Sequence, residues 1–215
     1  MKSVPTAWRW AFVVLITVVA LAVAVWPRDE HGASSVTATA VQDGPAAVSD
    51  DQRAAAALAD CPRPSARTEP APDAGPLAGM VVQCLADGRP IDLGAALAGR
   101  PALLNLWAFY CEPCAQELPA LQEYANRAGD AVTVLTVHSD PAQTRGLDRL
   151  RALGVHLPGV QDGDGKVRSV SNAPRVLPIS ILVRADGSIA KVLVQPFKSA
   201  DEVAAAVEQG LGVAA

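Results

Sequence analysis

The sequence predicts an α/β domain in the C-terminal part of the chain, with a mixed sheet flanked by helices. The main indication is the order strand, helix, strand over residues 101–137, because buried strands joined by a helix pair in parallel. A second indication lies at 178–194, where two apolar stretches flank the turn signal Ala185-Asp186-Gly187 and predict an antiparallel pair. Parallel and antiparallel pairs together make the predicted sheet mixed.

The first elements of this domain are a hairpin and a central strand. Residues 80–93 read as two short strands joined by an Asp87-Gly88 turn. The nearly continuous apolar run at 101–109, "PALLNLWAF", predicts a strand that is covered on both faces. A helix follows from Cys111 to about Arg127, and "AVTVLTV" at 131–137 predicts the second buried strand.

The remaining elements complete the predicted fold. A helix is expected around 144–153, followed by a short strand within 155–161. The antiparallel pair at 178–194 comes next, and a closing amphipathic helix begins after Ser199, which fits an N-cap. The domain is therefore expected to span 79–215, with an N-terminal β-hairpin.

Residues 1–27 predict a single transmembrane anchor. An unbroken apolar run from Trp10 to Trp26 follows Lys2 and Arg9, and its 17 residues are at the short end of what spans a bilayer. The preceding charges favour a cytoplasmic N-terminus, which places the rest of the chain outside the cytoplasm. A cleaved signal peptide is the alternative, since residues 22–24 resemble a cleavage site, although that site would cut inside the apolar run.

Residues 28–78 predict a disordered, Ala- and Pro-rich tether between the anchor and the domain. No apolar period is sustained there, and the stretch 63–76 is especially poor in residues that could form a core. A short helix is expected within "DDQRAAAALAD" at 50–60, with little to pack against.

The net charge excludes one class of partner. The chain carries a formal charge of −4 and has no Lys/Arg cluster, so nucleic acid is not an expected partner.

Two cysteines three residues apart, Cys111 and Cys114, stand where the central strand passes into a helix, in "WAFYCEPCAQELP". A thiol attacks a disulfide only as its thiolate, and a helix N-terminus stabilises an anion. Helical spacing puts both sulfurs on one side of the helix, within reach of a reversible disulfide, and Pro113 fits the first turn. The pattern predicts a redox pair in which Cys111 attacks and Cys114 resolves; a metal-ligand pair and a structural cross-link are the alternatives.

Glu117 lies one helical turn beyond Cys114. A carboxylate buried near the thiols would have a raised pKa and could move protons during exchange. Its spacing alone favours an ordinary solvated glutamate.

The segment from Trp107 to Cys114, followed by Glu117-Leu118-Pro119, resembles the active site of the thioredoxin-fold oxidoreductases. It is most similar to the membrane-anchored TlpA/ResA-like branch, which includes the cytochrome c maturation thioredoxins. The stretch "VLPISILVRADGSIAKVLV" is similar to the strand and hairpin that follow the cis-proline of this family. The resemblance covers about 80–212 and implies a thioredoxin-like fold.

The resemblance also implies site roles. It predicts a cis peptide between Leu177 and Pro178 beside the dithiol, in a loop that binds substrate, and a functional, buried Glu117. Tyr110 stands where the family usually has Trp and keeps an aromatic platform. Asn105 stands where cytoplasmic thioredoxins have a buried aspartate, so that proton relay is missing.

Cys61 and Cys84 predict a separate, structural disulfide that pins the end of the tether to the first hairpin. A second redox pair that relays electrons to Cys111 and Cys114 is the alternative. His138, after the second buried strand, is expected to be an ordinary strand-end residue rather than a base.

The function expected from these features is that of a membrane-tethered thiol–disulfide oxidoreductase outside the cytoplasm, without a dissociable cofactor. Its partners would be exported proteins, such as an apocytochrome c, and a membrane electron donor. Reduction of the client is the favoured direction, weakly supported by Glu112 because its charge opposes thiolate formation at Cys111. The alternatives are a thiol oxidant and a copper-handling module. A closed zinc site would need two further ligands, and none of the three histidines lies near the motif.

Overall fold

The computed structural model describes residues 48–64 and 75–214. Their strands form one seven-stranded sheet with the order β2-β1-β5-β4-β3-β6-β7. The strands are β1 (Val81–Cys84), β2 (Pro90–Asp92), β3 (Ala102–Trp107), β4 (Thr133–His138), β5 (Gly159–Gln161), β6 (Ile179–Val183) and β7 (Ile189–Leu193). The pairs β3–β4 and β4–β5 are parallel and the others are antiparallel, so the prediction of a mixed sheet is confirmed.

Helices cover both faces of the sheet. Within the described residues they are α1 (Asp50–Ala56), α2 (Leu93–Leu97), α3 (Glu112–Ala128), α4 (Gln143–Leu153), α5 (Lys166–Val170) and α6 (Ala200–Leu211). One apolar core includes side chains from α1, α3, α4 and α6, and a second includes side chains from α2 and α5 on the opposite face. Ser199 caps α6, as predicted, by accepting the N–H of Glu202.

β3 lies in the interior of the sheet and carries the site at its end. All six of its side chains are buried. Leu103 faces one core and Leu104 the other, which is the two-sided burial that the apolar run predicts. Replacing either leucine by Ala would cost about 2–5 kcal/mol, because the cavity could close only partly. β3 is therefore a rigid support for the cysteines that follow it.

The end of the predicted tether differs from the expectation. The stretch 50–60 does form a helix, but it packs on the domain: Ala56 is 1% exposed and lies in the core with Leu147 and Leu150 of α4. The Arg53 guanidinium donates to the Leu85 carbonyl at 2.7 Å. A composition rich in Ala does not reveal this docking, because the packing partners lie far along the chain.

The anchor predicted at 1–27 and the remaining tether residues, 28–47 and 65–74, lie outside the described residues. Among the helices of the described segments, none has the length and apolar character needed to cross a membrane.

Candidate active site

The two cysteines of the motif lie at the N-terminus of α3 and form a disulfide. Cys111 is the N-cap residue, and its Sγ accepts the backbone N–H of Cys114 at 3.3 Å. Cys111 is 9% exposed, whereas Cys114 is completely buried. An approaching disulfide can therefore reach the first sulfur of the pair and not the second.

A groove of about 660 Å³ opens beside Cys111. Tyr110 and Pro113 line it on the side of the cysteine, and Leu177 lines it together with residues of α5 and the loop after α5. The Leu177–Pro178 peptide bond is cis, as the resemblance implies. Pro178 itself is buried, so the loop presents Leu177 to the groove.

Glu117 is completely buried and lies in a small polar cluster with Asn105 and Ser180, three residues beyond Cys114 on α3. Its carboxylate accepts the Asn105 side-chain N–H at 3.2 Å and the Phe197 backbone N–H at 3.4 Å. Burial raises the pKa of Glu117 from 4.5 to about 7, and the two hydrogen bonds offset only part of that effect. The spacing argument for a solvated glutamate is wrong, because the turn that bears Glu117 faces the sheet.

Asn105 joins Glu117 to the neighbouring strand. Its Nδ2 also donates to the Ser180 hydroxyl at 3.2 Å, while its Oδ1 is buried without a hydrogen-bond partner among the described residues. A polar residue inside an apolar strand signals that buried partners are needed. The sequence could not identify them, because Glu117 lies on α3 and Ser180 on β6, 12 and 75 positions away along the chain.

The charge of Glu112 is compensated by a residue of α4. Its carboxylate lies 2.8 Å from the Arg149 guanidinium, and the two side chains are 70% and 33% exposed. Next to this pair, Arg145 stacks on the Phe109 ring at 4.8 Å. The expectation that Glu112 opposes thiolate formation is weakened, because Arg149 supplies the opposite charge on the same surface.

His138 is completely buried and does not line the groove. Its Nδ1 lies 3.0 Å from the Gln161 Oε1, and its ring packs on Trp107 with centroids 4.9 Å apart. Burial lowers the pKa of His138, so the neutral form is favoured. These contacts are those of a packed strand-end residue.

Cys61 and Cys84 form the second disulfide, as predicted, and are 7% and 1% exposed. Cys84 lies on β1, which β5 and β4 separate from β3. Three strand spacings amount to about 14 Å, too far for a direct exchange with the cystine that follows β3. The arrangement fits a structural cross-link and not an electron relay.

Within the two described segments, no three or more His, Cys, Asp or Glu side chains are grouped so that they could hold a metal ion.

A family model named Redoxin matches residues 66–209. The chain belongs to the redoxin family. Thiol-disulfide oxidoreductase ResA of Bacillus subtilis (strain 168) is 28% identical over 108 residues, which are 50% of this chain and 59% of ResA. The soluble secreted antigen MPT53 of Mycobacterium tuberculosis is 31% identical over 101 residues, 47% of this chain and 57% of the antigen. The chain thus spans less than two thirds of the length of these relatives.

Solved structures agree with the fold. A secreted Mycobacterium tuberculosis disulfide oxidoreductase, 26% identical, superposes with a TM-score of 0.52 over 60% of this chain and 95% of that one. A DsbF homologue from Corynebacterium diphtheriae, 19% identical, superposes with a TM-score of 0.55 over 70% of this chain and 99% of the homologue. At this identity the match supports the fold alone. The domain has the thioredoxin-like fold, and the resemblance to ResA-like proteins is confirmed.

Proposed function

We propose that the chain is a thiol–disulfide oxidoreductase that reduces disulfides of exported proteins through Cys111 and Cys114. The observation that carries this proposal is the asymmetry of the cystine: Cys111 caps a helix and opens into a groove, whereas Cys114 is completely buried behind it. Such a pair limits the first attack to one sulfur and keeps the second for resolution.

The reaction starts from the dithiol form. The Cys111 thiolate attacks one sulfur of the client disulfide, so that a mixed disulfide forms and the other client sulfur leaves as a thiolate. The Cys114 thiolate then attacks the Cys111 Sγ, which restores the enzyme disulfide and releases the second client thiolate. Two electrons pass to the client, and a dithiol donor must return them to the enzyme.

Glu117 is proposed as the proton carrier for Cys114. It lies one turn along α3 from Cys114, and a carboxyl with a pKa of about 7 is present in both protonation states near neutral pH. It can therefore accept the proton that Cys114 must lose before it resolves the mixed disulfide.

Tyr110 and the Leu177–Pro178 loop are proposed to bind the client. Tyr110 and Leu177 line the groove beside Cys111, where an extended client segment would lie. Pro178 shapes the loop, and the backbone next to it offers hydrogen-bonding groups, a role carried over from the resemblance.

The cellular setting is part of the proposal. Residues 1–27 would anchor the chain in a membrane, or act as a cleaved signal peptide, and the residues that follow would serve as a tether to the domain. The similar antigen and the similar solved structure from Mycobacterium tuberculosis are both described as secreted, which supports a site of action outside the cytoplasm. A membrane dithiol would supply electrons, and an apocytochrome c is one client of suitable chemistry.

A redox titration tests the direction. The full-length chain would be equilibrated in glutathione buffers, and the Cys111–Cys114 disulfide would be quantified by alkylation and peptide mass spectrometry. The proposal predicts that the Cys111–Cys114 disulfide has a reduction potential well below about −150 mV, in the range of thioredoxin-like reductants. A value at or above about −150 mV would instead make the protein an oxidant of client thiols.

A further inference from the structure

Two arginines line the same groove as Cys111. Arg168 lies on α5 and is half-buried, while Arg175 is exposed in the loop that leads to Leu177. Neither guanidinium forms an ion pair with a carboxylate of residues 48–64 or 75–214. Both positive charges are therefore open to a ligand in the groove.

The carboxylates near this groove already have partners. Glu112 pairs with Arg149, and Asp164 pairs with the Lys166 side chain. Asp140 accepts the backbone N–H of Ala142, and Asp162 accepts the backbone N–H groups of Lys166 and Val167. Against these four carboxylates stand five cationic side chains, Arg145, Arg149, Lys166, Arg168 and Arg175, so these groups together carry a net charge of +1.

Apolar side chains flank the same groove. Tyr110 is 64% exposed and Val176 is 48% exposed, and both line the groove together with Cys111 and Leu177. Exposed apolar groups next to unpaired cations favour a peptide segment that has both apolar and acidic side chains, because each kind of group would find a partner.

We propose that this groove selects client segments with an acidic residue next to the disulfide cysteine, through Arg168 and Arg175. The proposal rests on the function proposed above and names the substrate class of the same site. With the client sulfur at Cys111, an extended client segment carries successive residues along the groove in steps of about 3.3 Å, which lets a side chain next to the cysteine meet Arg168 or Arg175.

The test measures the reduction of three peptides that differ only in the residues on both sides of one cysteine: Asp, Asn or Lys. Each has an intramolecular disulfide of the same loop size. The full-length chain, reduced at Cys111 and Cys114, is mixed with each peptide, and the second-order rate constant is divided by that of uncharged dithiothreitol. This ratio removes the intrinsic reactivity of each peptide disulfide.

At low ionic strength the ratio should fall in the order Asp, Asn, Lys. R168Q and R175Q should each reduce the Asp-over-Asn preference about two- to fivefold, as expected for a partly exposed charge pair. R175K should keep most of the preference, and 1 M salt should remove it, because the Debye length is then about 3 Å. R100Q is the matched control, since exposed Arg100 precedes the opposite end of β3, and its preference should equal that of the wild type.

Equal ratios for the three peptides, or an unchanged preference in the R168Q/R175Q double variant, would overturn the acidic-client proposal alone. Failure to reduce any peptide, together with failure on the neutral 2-hydroxyethyl disulfide, would overturn the proposed function and this inference with it.

Discussion

Glu117 is the residue whose environment departs most from its ordinary chemistry. A carboxyl at this depth loses the hydration of its ionised form, and the N–H groups of Asn105 and Phe197 restore only part of it. The folded-state pKa of about 7 lies above the ordinary 4.5, so the folded protein holds more protons than the unfolded chain between these values. By linkage, this residue makes the free energy of unfolding fall as the pH rises from about 4.5 to 7.

Glu117→Gln should remove this pH dependence. Since each pKa unit corresponds to about 1.4 kcal/mol, the stability of the variant relative to the wild type should rise by about 3 kcal/mol over that pH range. Urea unfolding at several pH values measures it. Glu123→Gln replaces an exposed glutamate of the same helix and is the control. The difference in its free energy of unfolding from the wild type should not change with pH over this range. A flat profile for Glu117→Gln as well would show that the carboxyl titrates normally.

At the scale of elements, α1 is held by its contacts rather than by its own helix propensity. A helix of seven residues is marginal in isolation. Arg53, 9% exposed, anchors it to the end of β1, and the Ala59 N–H donates to the His156 carbonyl at 2.8 Å just after the helix. The segment 48–64 is therefore part of the domain surface beside α4.

Arg53→Leu should destabilise the domain by about 1–3 kcal/mol, because the Leu85 carbonyl would lose a buried donor. Chemical denaturation with a fixed m-value measures this loss. Arg63→Leu provides the comparison in the same segment: its ion pair with Asp87 spans 3.7 Å and Arg63 is 62% exposed, so its effect should stay below about 0.5 kcal/mol. Equal effects of the two variants would mean that the buried hydrogen bond contributes nothing specific.

At the scale of the whole molecule, the succession of strands and longer helices along the chain, the mixed character of the sheet, the cap at Ser199 and both disulfides could be predicted from the sequence, whereas the order of the strands within the sheet could not. The predicted features depend on local periodicity, turn residues and cysteine spacing. The docking of α1 and the hydrogen-bond partners of Asn105 and Glu117 could not be predicted. They depend on contacts between residues at least 12 positions apart, for which no local pattern exists.

The Cys61–Cys84 disulfide should contribute stability without taking part in exchange. It closes a loop with a sequence separation of 23, which corresponds to about 3 kcal/mol from restriction of the unfolded chain. The C61S/C84S variant should lose about that amount in thermal or urea unfolding. Its rate constant for peptide disulfide reduction, measured below the unfolding transition, should match that of the wild type. A large decrease in this rate constant in the folded variant would favour the electron-relay alternative.

The central claim is that Cys111 attacks and Cys114 resolves, and trapping of the mixed disulfide tests it most directly. Full-length Cys114→Ser and Cys111→Ser would each be incubated with a peptide disulfide, and covalent adducts would be located by non-reducing mass spectrometry. Cys114→Ser should accumulate a peptide adduct on Cys111, whereas Cys111→Ser should accumulate none, because Cys114 is completely buried. An adduct on Cys114, or exchange by Cys111→Ser at the wild-type rate, would contradict the account.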